Sequence, residues 1–272
     1  LSFRVLKQPL IHLWIYNHPF YGISDQIEYL VAAFVQSGYE ISVGRQPRKS
    51  ALNVVIENFS AESKELLVEF CQTNKKNVAI ILTEHLDFID QQMYIHGDPF
   101  WTENDYMNPK TQVDRIGNLI ECNPYVVSYF VLGDLPELRG FSELLPGADV
   151  RSIPFPKVKF VPQTGTDMPD STIDDLLFTG VMTNYRKDVF SLLKAEGFSA
   201  TSPWRFVSRK RRDAMNRSVK LILNIPQRRN WRWLSLQRVI AGLRCGRATV
   251  SLGTHDTSKI SACTYQLDLG HF

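Results

Sequence analysis

Hydrophobic positions along the chain follow two alternating patterns. Short, nearly continuous apolar stretches, such as 11–17 (IHLWIYN) and 77–85 (NVAIILTEH), predict strands that are buried on both faces of a sheet. Between them lie segments such as 24–36, whose apolar residues recur with the spacing of a helix. This alternation of strands and helices predicts right-handed βαβ units and parallel sheets.

The first half of the chain contains most of one such series. Ser24 or Asp25 is expected to cap the first helix, and Gly38 to end it. The polar, aromatic segment 87–110 predicts a long loop with a short helix. The predicted strands and helices of this half are 11–17, 24–36, 39–44, 52–58, 60–74, 77–85, 111–122, 126–134 and 136–145, and the segment 150–156 closes the unit.

The second half repeats the alternation after the proline-containing segment 157–172, which predicts a linker. Thr183 or Asn184 is expected to cap its first helix and Gly197 to end it. The predicted elements are 173–180, 182–197, 198–202, 206–219, 220–226, 233–246 and 247–253. We therefore expect an α/β chain of two Rossmann-like domains, 1–156 and 157–272, with parallel sheets that face a central cleft.

Charge separates these two halves. Residues 1–156 hold 12 Lys+Arg and 19 Asp+Glu, whereas residues 157–272 hold 19 Lys+Arg and 9 Asp+Glu. The second half should therefore attract an anionic partner, such as nucleotide phosphates, nucleic acid or a membrane surface. The basic run 209–212 is the densest part of it, and Trp204, Trp231 and Trp233 lie among nearby arginines.

Several classes of protein find no support in the sequence. No apolar run approaches the roughly 18 residues that span a bilayer. The four cysteines form no CxxC pair, which disfavours a zinc site or a disulfide framework and predicts buried, reduced thiols in a cytoplasmic protein. The chain lacks a GxGxxG after its first strand, a GxxxxGK[ST] loop, a GxSxG elbow, an HExxH pair and an Asp-x-Asp triplet. We expect no metal site and no cofactor.

Three stretches of the second half resemble the donor-binding domain of GT-B glycosyltransferases. They are LLFTG with YRKD (176–188), KLILNIP (220–226) and QRVIAGLRCGRATVSLG (237–253). The resemblance implies a GT-B fold and a nucleotide-sugar donor, consumed as a substrate, with a glycan, a lipid-linked glycan or a protein as acceptor. The glutamate that holds the donor ribose in that family falls on Ala241, which cannot accept a hydrogen bond through its side chain.

Candidate phosphate ligands follow predicted strands of the second half. Helix N-termini and arginines favour phosphate there, and a glycine lets the backbone approach it. The alternatives are an ordinary βα turn, exposed loop arginines and a structural ion pair. The candidates are Gly180, Arg186, Lys187, Arg228, Arg229 and Arg238.

Candidates for activating the acceptor hydroxyl lie at the ends of strands in the acidic half. They are Glu84 and His85 after the strand 77–85, and His18 and Asp25 around the first loop. A structural histidine at 18 or 85, and a simple helix cap at Asp25, are the alternatives to catalytic roles.

Three functions remain open on this basis. The first is a metal-independent, hexosyl-type glycosyltransferase of polysaccharide biosynthesis, located in the cytoplasm or at the inner face of the membrane. The second is an inactive relative that serves as a binding subunit, which Ala241 favours. The third is a nucleic-acid-binding protein that uses the arginines of 205–247, which the acidic first half disfavours.

Overall fold

Two compact units make up the chain in the computed structural model. The first comprises residues 1–19, 27–91 and 109–157, and the second comprises residues 20–26, 92–108 and 158–272. The structure describes residues 9–18, 20–57, 60–99, 109–132, 140–157, 174–203, 205, 207–231 and 233–269. Except for residue 157, the predicted linker 157–172 lies outside these residues. Trp204 also lies outside them.

Six parallel strands form the sheet of the first unit, in the order β2-β1-β3-β4-β8-β9. The strands are β1 (Ile11–Trp14), β2 (Ile41–Gly44), β3 (Leu52–Ile56), β4 (Val78–Ile81), β8 (Val126–Leu132) and β9 (Val150–Ile153). The helices in this part of the chain are α1 (Phe20–Gln36), α2 (Ala61–Asn74), α3 (Pro109–Cys122) and α4 (Phe141–Leu144).

The central strand β4 is apolar throughout because both faces of the sheet are covered. All four residues of β4 are buried, as the continuous apolar run predicts. Leu67 of α2 and Leu119 of α3 pack in one core with Trp14, Val55 and Tyr129. Helix α2 begins where the sequence predicts. Its N-cap is Ser60, whose side chain accepts a hydrogen bond from the backbone N–H of Ser63 in the first turn.

Two local predictions for this part of the chain are wrong. Helix α1 begins at Phe20, so Ser24 and Asp25 lie inside it and cap nothing. Of the predicted loop at 87–110, residues 100–108 lie outside the described part of the chain, and the part before them instead contains the short strands β5 (Leu86–Ile89), β6 (Gln92–Ile95) and β7 (Asp98–Pro99). Strands β6 and β7 pair antiparallel around His96 and Gly97, which both have positive φ, the geometry of a tight hairpin turn.

Five parallel strands form the sheet of the second unit, in the order β11-β10-β12-β13-β14. The last strand is absent from the sequence-based expectation. The elements are β10 (Asp174–Leu177), α5 (Asn184–Ala195), β11 (Ala200–Thr201), α6 (Arg209–Arg217), β12 (Val219–Asn224), α7 (Leu236–Arg244), β13 (Ala248–Leu252) and β14 (Tyr265–Leu267).

Local signals fix the helices of this unit. Thr183 caps α5 by accepting a hydrogen bond from the Arg186 backbone, and Gly197 follows the helix at φ +83°. Gly242 lets α7 approach β13, because a Cβ there would lie 2.6 Å from Oγ1 of Thr249.

The prediction of an α/β chain with two Rossmann-like parallel sheets is confirmed. No helix in the described residues is long and apolar enough to cross a membrane. All four cysteines are free; Cys71 and Cys122 are buried as expected, whereas Cys263 is exposed.

Candidate functional site

A pocket of about 530 Å³ opens at the carboxyl ends of strands in the second unit. Segments that follow β10 and β11 form part of its wall, and the first turns of α7 form another part. Strand β11 lies on one side of β10 and β12 on the other, so the order in which strands are added to the sheet reverses at β10. Ligands of open parallel sheets bind at such a topological switch point. The pocket is lined by Asp25, Thr179, Gly180, Val181, Met182, Pro203, Arg205, Val207, Arg212, Ser235, Gln237, Arg238 and Ala241.

Arg238 is held against the backbone at the end of β10. Its Nε donates a hydrogen bond to the carbonyl of Thr179 (3.2 Å), and its Nη1 donates to Oδ1 of Asn224 (2.6 Å). Burial, and after it the positive charge of Arg186, lower the pKa of the Arg238 guanidinium to about 9. An anion in the pocket would stabilise this half-buried cation.

Gly180 makes this placement of Arg238 possible. A Cβ at position 180 would lie 2.9 Å from Nη2 of Arg238 and 2.7 Å from Cζ of Phe178. Any other residue would therefore push the guanidinium or the ring away. Gly180 and Arg238 are the two predicted phosphate-site residues that line the pocket.

The other four predicted phosphate-site residues lie elsewhere in the second unit. Arg186 is buried and donates hydrogen bonds to the carbonyls of Ile225, Pro226 and Val181, so it ties the end of β12 to the segment after β10. Lys187 is exposed and lies 3.3 Å from Oδ1 of Asn184. Neither residue lines the pocket.

The two adjacent arginines after β12 also lie outside the pocket lining. Nη1 of Arg228 is 3.4 Å from the buried carboxylate of Asp98, and Arg229 is exposed. Beside them Trp231 is buried and stacks on His96, with ring centres 4.2 Å apart. This part of the unit combines charge pairing with aromatic packing.

Asp25 joins a cluster of charged residues at the pocket wall. Arg212 donates hydrogen bonds from both terminal nitrogens to the two carboxylate oxygens of Asp25. Arg209 and Arg244 approach the same carboxylate at 3.5 Å and 3.7 Å. Burial opposes the charge of Arg212, but Asp25 and Asp213 together raise its pKa above the ordinary value.

The first unit carries a second group of polar residues, where β1 and β3 end. The side chain of Glu57 is fully buried, forms an ion pair with Arg115, and accepts hydrogen bonds from the backbone and hydroxyl of Thr83. The ion pair between Glu57 and Arg115 therefore lies beside the ends of neighbouring parallel strands. Neither Glu57 nor Arg115 is predicted from the sequence, although Glu57 directly follows a buried strand, which is a usable signal.

His18 and Glu84 lie next to this pair. Nε2 of His18 donates a hydrogen bond to the backbone carbonyl of Glu57 (3.0 Å), so Nδ1 carries the lone pair in the neutral ring. Burial lowers the pKa of His18, and its backbone hydrogen bonds and Glu57 oppose that change. Glu84 lies 4.0 Å from Nη1 of Arg115. The structure thus brings His18 and Glu84 to one group.

His85 and Tyr16 lie close in sequence to Glu84 and His18. His85 is buried, with Nε2 3.3 Å from Oδ2 of Asp87. Tyr16 has φ 46°, an uncommon left-handed conformation for an aromatic residue, and its carbonyl accepts a hydrogen bond from Arg45. This sharp bend lies between β1 and His18.

A buried carboxylate anchors the start of α7 in the second unit. Oδ2 of Asp256 accepts a hydrogen bond from the backbone N–H of Leu234 (2.9 Å), and Oδ1 accepts one from that of Ser258 (2.7 Å). The side-chain amide of Gln266 in β14 accepts a hydrogen bond from the backbone N–H of Asp256 and donates one to its carbonyl. The segment after β13 therefore fixes the residue that precedes Ser235, the N-cap of α7.

Comparisons with known proteins identify no family for the chain. No family model matches it, and no curated protein sequence matches it. Among solved structures, the chain is similar to a crystal structure of an α1,3-fucosyltransferase, with 9% sequence identity and a TM-score of 0.42. That similarity covers 92% of this chain and 71% of the other.

Proposed function

We propose that the chain is a glycosyltransferase that takes its sugar from a nucleotide-sugar donor. The observation that carries the proposal is the guanidinium of Arg238, which two hydrogen bonds hold beside Gly180 in a pocket at the carboxyl ends of parallel strands. Sugar transfer leaves a nucleoside diphosphate, whose growing negative charge needs a fixed cation. Arg238 supplies that cation from a position that its two hydrogen bonds predetermine.

The remaining lining supports the same class of ligand. Arg205 and Arg212 add positive charge, whereas Val181, Met182 and Val207 offer an apolar wall of the kind on which a nucleobase packs. In the first unit, His18 is the residue best suited to accept a proton from an acceptor hydroxyl, because its Nε2 is committed to a carbonyl and its Nδ1 carries the lone pair. The acceptor would be a glycan, a lipid-linked glycan or a protein.

The direct test is binding of nucleoside diphosphates and nucleotide sugars, followed by sugar-transfer assays with the ligands that bind. Binding at a hundredfold excess over the dissociation constant would stabilise the protein by roughly 2.7 kcal/mol. The Arg205→Gln variant removes an exposed charge from the pocket lining and should weaken binding at least about fivefold. Arg211→Gln, an exposed arginine of α6 outside the lining, is the matched control and should bind like the wild type.

Two results would contradict the proposal. One is the absence of binding by any nucleoside diphosphate or nucleotide sugar. The other is an equal loss of affinity in Arg205→Gln and Arg211→Gln with steep salt dependence, which would indicate a general polyanion surface such as nucleic-acid binders use.

One observation favours a second function, a binding subunit without transferase activity. Ala241 is buried and lines the pocket at the position where the resembling family places its ribose-binding glutamate. If the pocket binds nucleoside diphosphates but no sugar is transferred, the Ala241→Glu variant should bind a nucleoside diphosphate more tightly than the wild type does. Affinity for inorganic pyrophosphate, which has no ribose, should not rise.

A further inference from the structure

Arg212 lines the pocket, but in this structure its terminal nitrogens donate hydrogen bonds to carboxylates of the protein itself. Its two terminal nitrogens both donate to Asp25, in the paired geometry that arginine also uses with phosphate. Asp25 lines the same pocket. An anion therefore already lies on this guanidinium.

Two further observations single out Arg212. Its Nε is buried and has no hydrogen-bond acceptor, so one strong donor of the group is unsatisfied. Within the described residues, the ionisable side chains of the lining are three arginines, at 205, 212 and 238, and the single carboxylate of Asp25. The lining is thus suited to more negative charge than Asp25 alone provides.

We propose that Arg212 is an anion-binding residue of the pocket and that Asp25 competes with the ligand for it. A phosphate group of the ligand takes over the terminal nitrogens of Arg212, and the Asp25 carboxylate yields them. The identity of the anion as a diphosphate rests on the proposed function, whereas the competition itself does not. Asp25 therefore favours ligands with more than one negative charge, because a singly charged ligand gains little binding energy by replacing the Asp25 carboxylate on Arg212.

Asp213 provides a matched comparison for Asp25. It contacts Arg212 at 3.3 Å, and Arg209 and Arg244 at 3.9 Å each, but it does not line the pocket. Removing either carboxylate changes the net charge of the cluster by the same amount. Only the removal of Asp25 vacates the face of Arg212 that the ligand would use.

The experiment is calorimetric titration of the full chain with inorganic pyrophosphate, and with acetate as a singly charged probe, at constant ionic strength. Asp25→Asn should bind pyrophosphate about tenfold more tightly than the wild type, and it should gain measurable acetate binding. Asp213→Asn should stay within about threefold of the wild type, the residual effect of neutralising a carboxylate that does not line the pocket. Arg212→Gln should lose most pyrophosphate affinity.

Each other result overturns the proposal. Equal gains in Asp25→Asn and Asp213→Asn would show a general charge effect, and unchanged or weaker binding in Asp25→Asn would show that Asp25 does not compete. If Asp25→Asn fails to fold, Arg212→Lys decides the matter. It keeps the charge but not the planar fork, so pyrophosphate affinity should fall at least about fivefold, and wild-type affinity would overturn the idea.

This test is independent of sugar transfer. Pyrophosphate contains no base, ribose or sugar, so competition at Arg212 can be found in a protein that transfers nothing. Conversely, a transferase whose Asp25→Asn variant binds pyrophosphate like the wild type would keep the proposed function and lose the competition.

Discussion

Arg186 and Arg238 share one aromatic ring. The central carbon of each guanidinium lies 4.7 Å from the centre of the Phe178 ring, at the end of β10. Phe178 is fully buried, and an aromatic face attracts a cation, so the ring stabilises two like charges that burial disfavours.

Replacing Phe178 by leucine should therefore cost more than lost packing alone. We expect Phe178→Leu to lower the free energy of unfolding by about 2 kcal/mol, from a smaller side chain and two lost cation–π contacts. Denaturant unfolding would measure it. Phe190→Leu is the control, because Phe190 packs edge-on against Phe178 but is not the ring on which the two guanidinium groups lie. Equal losses in the two variants would argue against the role of the ring.

Gly180→Ala should disturb ligand binding more than stability. The added methyl group meets Arg238 and Phe178 at less than normal contact distance, so the guanidinium must shift. We expect affinity for nucleoside diphosphates to fall about tenfold, the effect of one misplaced charged hydrogen bond. Gly117→Ala in α3 is the control: a Cβ there meets nothing within 4 Å, and the variant should be neutral or more stable by about 0.5–1 kcal/mol. Unchanged affinity in Gly180→Ala would contradict the assignment of Arg238.

Breaking the ion pair between Glu57 and Arg115 should lower the free energy of unfolding substantially. Arg115→Gln leaves the buried carboxylate of Glu57 without its cation, and such changes typically cost about 3–5 kcal/mol. Thermal and denaturant unfolding would both report the loss. Lys110→Gln removes a cation from the exposed pair with Asp114 and should leave stability unchanged. A small effect in Arg115→Gln would mean that Thr83 and water satisfy Glu57 without its cation.

Stability should fall as the pH is lowered through the range of histidine titration. Burial lowers the pKa of both His12 and His18 below the ordinary value of 6.5, so the unfolded chain binds protons before the folded one does. The contribution of the two neutral histidines to the free energy of unfolding is therefore fully present above pH 6.5. It is lost as the pH falls from 6.5 through the lower pKa of the folded state. His18→Gln should flatten this dependence when unfolding is measured from pH 8 to pH 5. An identical slope in wild type and variant would contradict the lowered pKa.

Local sequence signals predicted much of the fold. The predicted helix 60–74 starts at Ser60, and Thr183 is one of the two expected caps of the helix 182–197; both side chains accept a hydrogen bond from the backbone of the first turn. These signals succeed because cap and helix lie within a few residues of each other. The short strand β14 was missed, since three residues at the edge of a sheet carry too little pattern.

The candidate site was predictable only where chemistry and strand order coincide. Of the six residues predicted from glycine and basic side chains after predicted strands, Gly180 and Arg238 line the pocket and the other four do not. The pairing of Asp25 with Arg212 spans 187 residues, and that of Glu57 with Arg115 spans 58, so no local pattern could reveal either contact. Whether the predicted residues bind phosphate or activate an acceptor stays a prediction.

The contact between Asp256 and Leu234 has a consequence for engineering. It secures α7 through a main-chain N–H, which every residue except proline possesses, so the anchor does not depend on which side chains follow it. Ser235, Gln237 and Ala241 can then be varied together in a library while the helix keeps its starting point. Because the residues that anchor the helix are separate from those that line the pocket, the scaffold is well suited to changes of ligand preference.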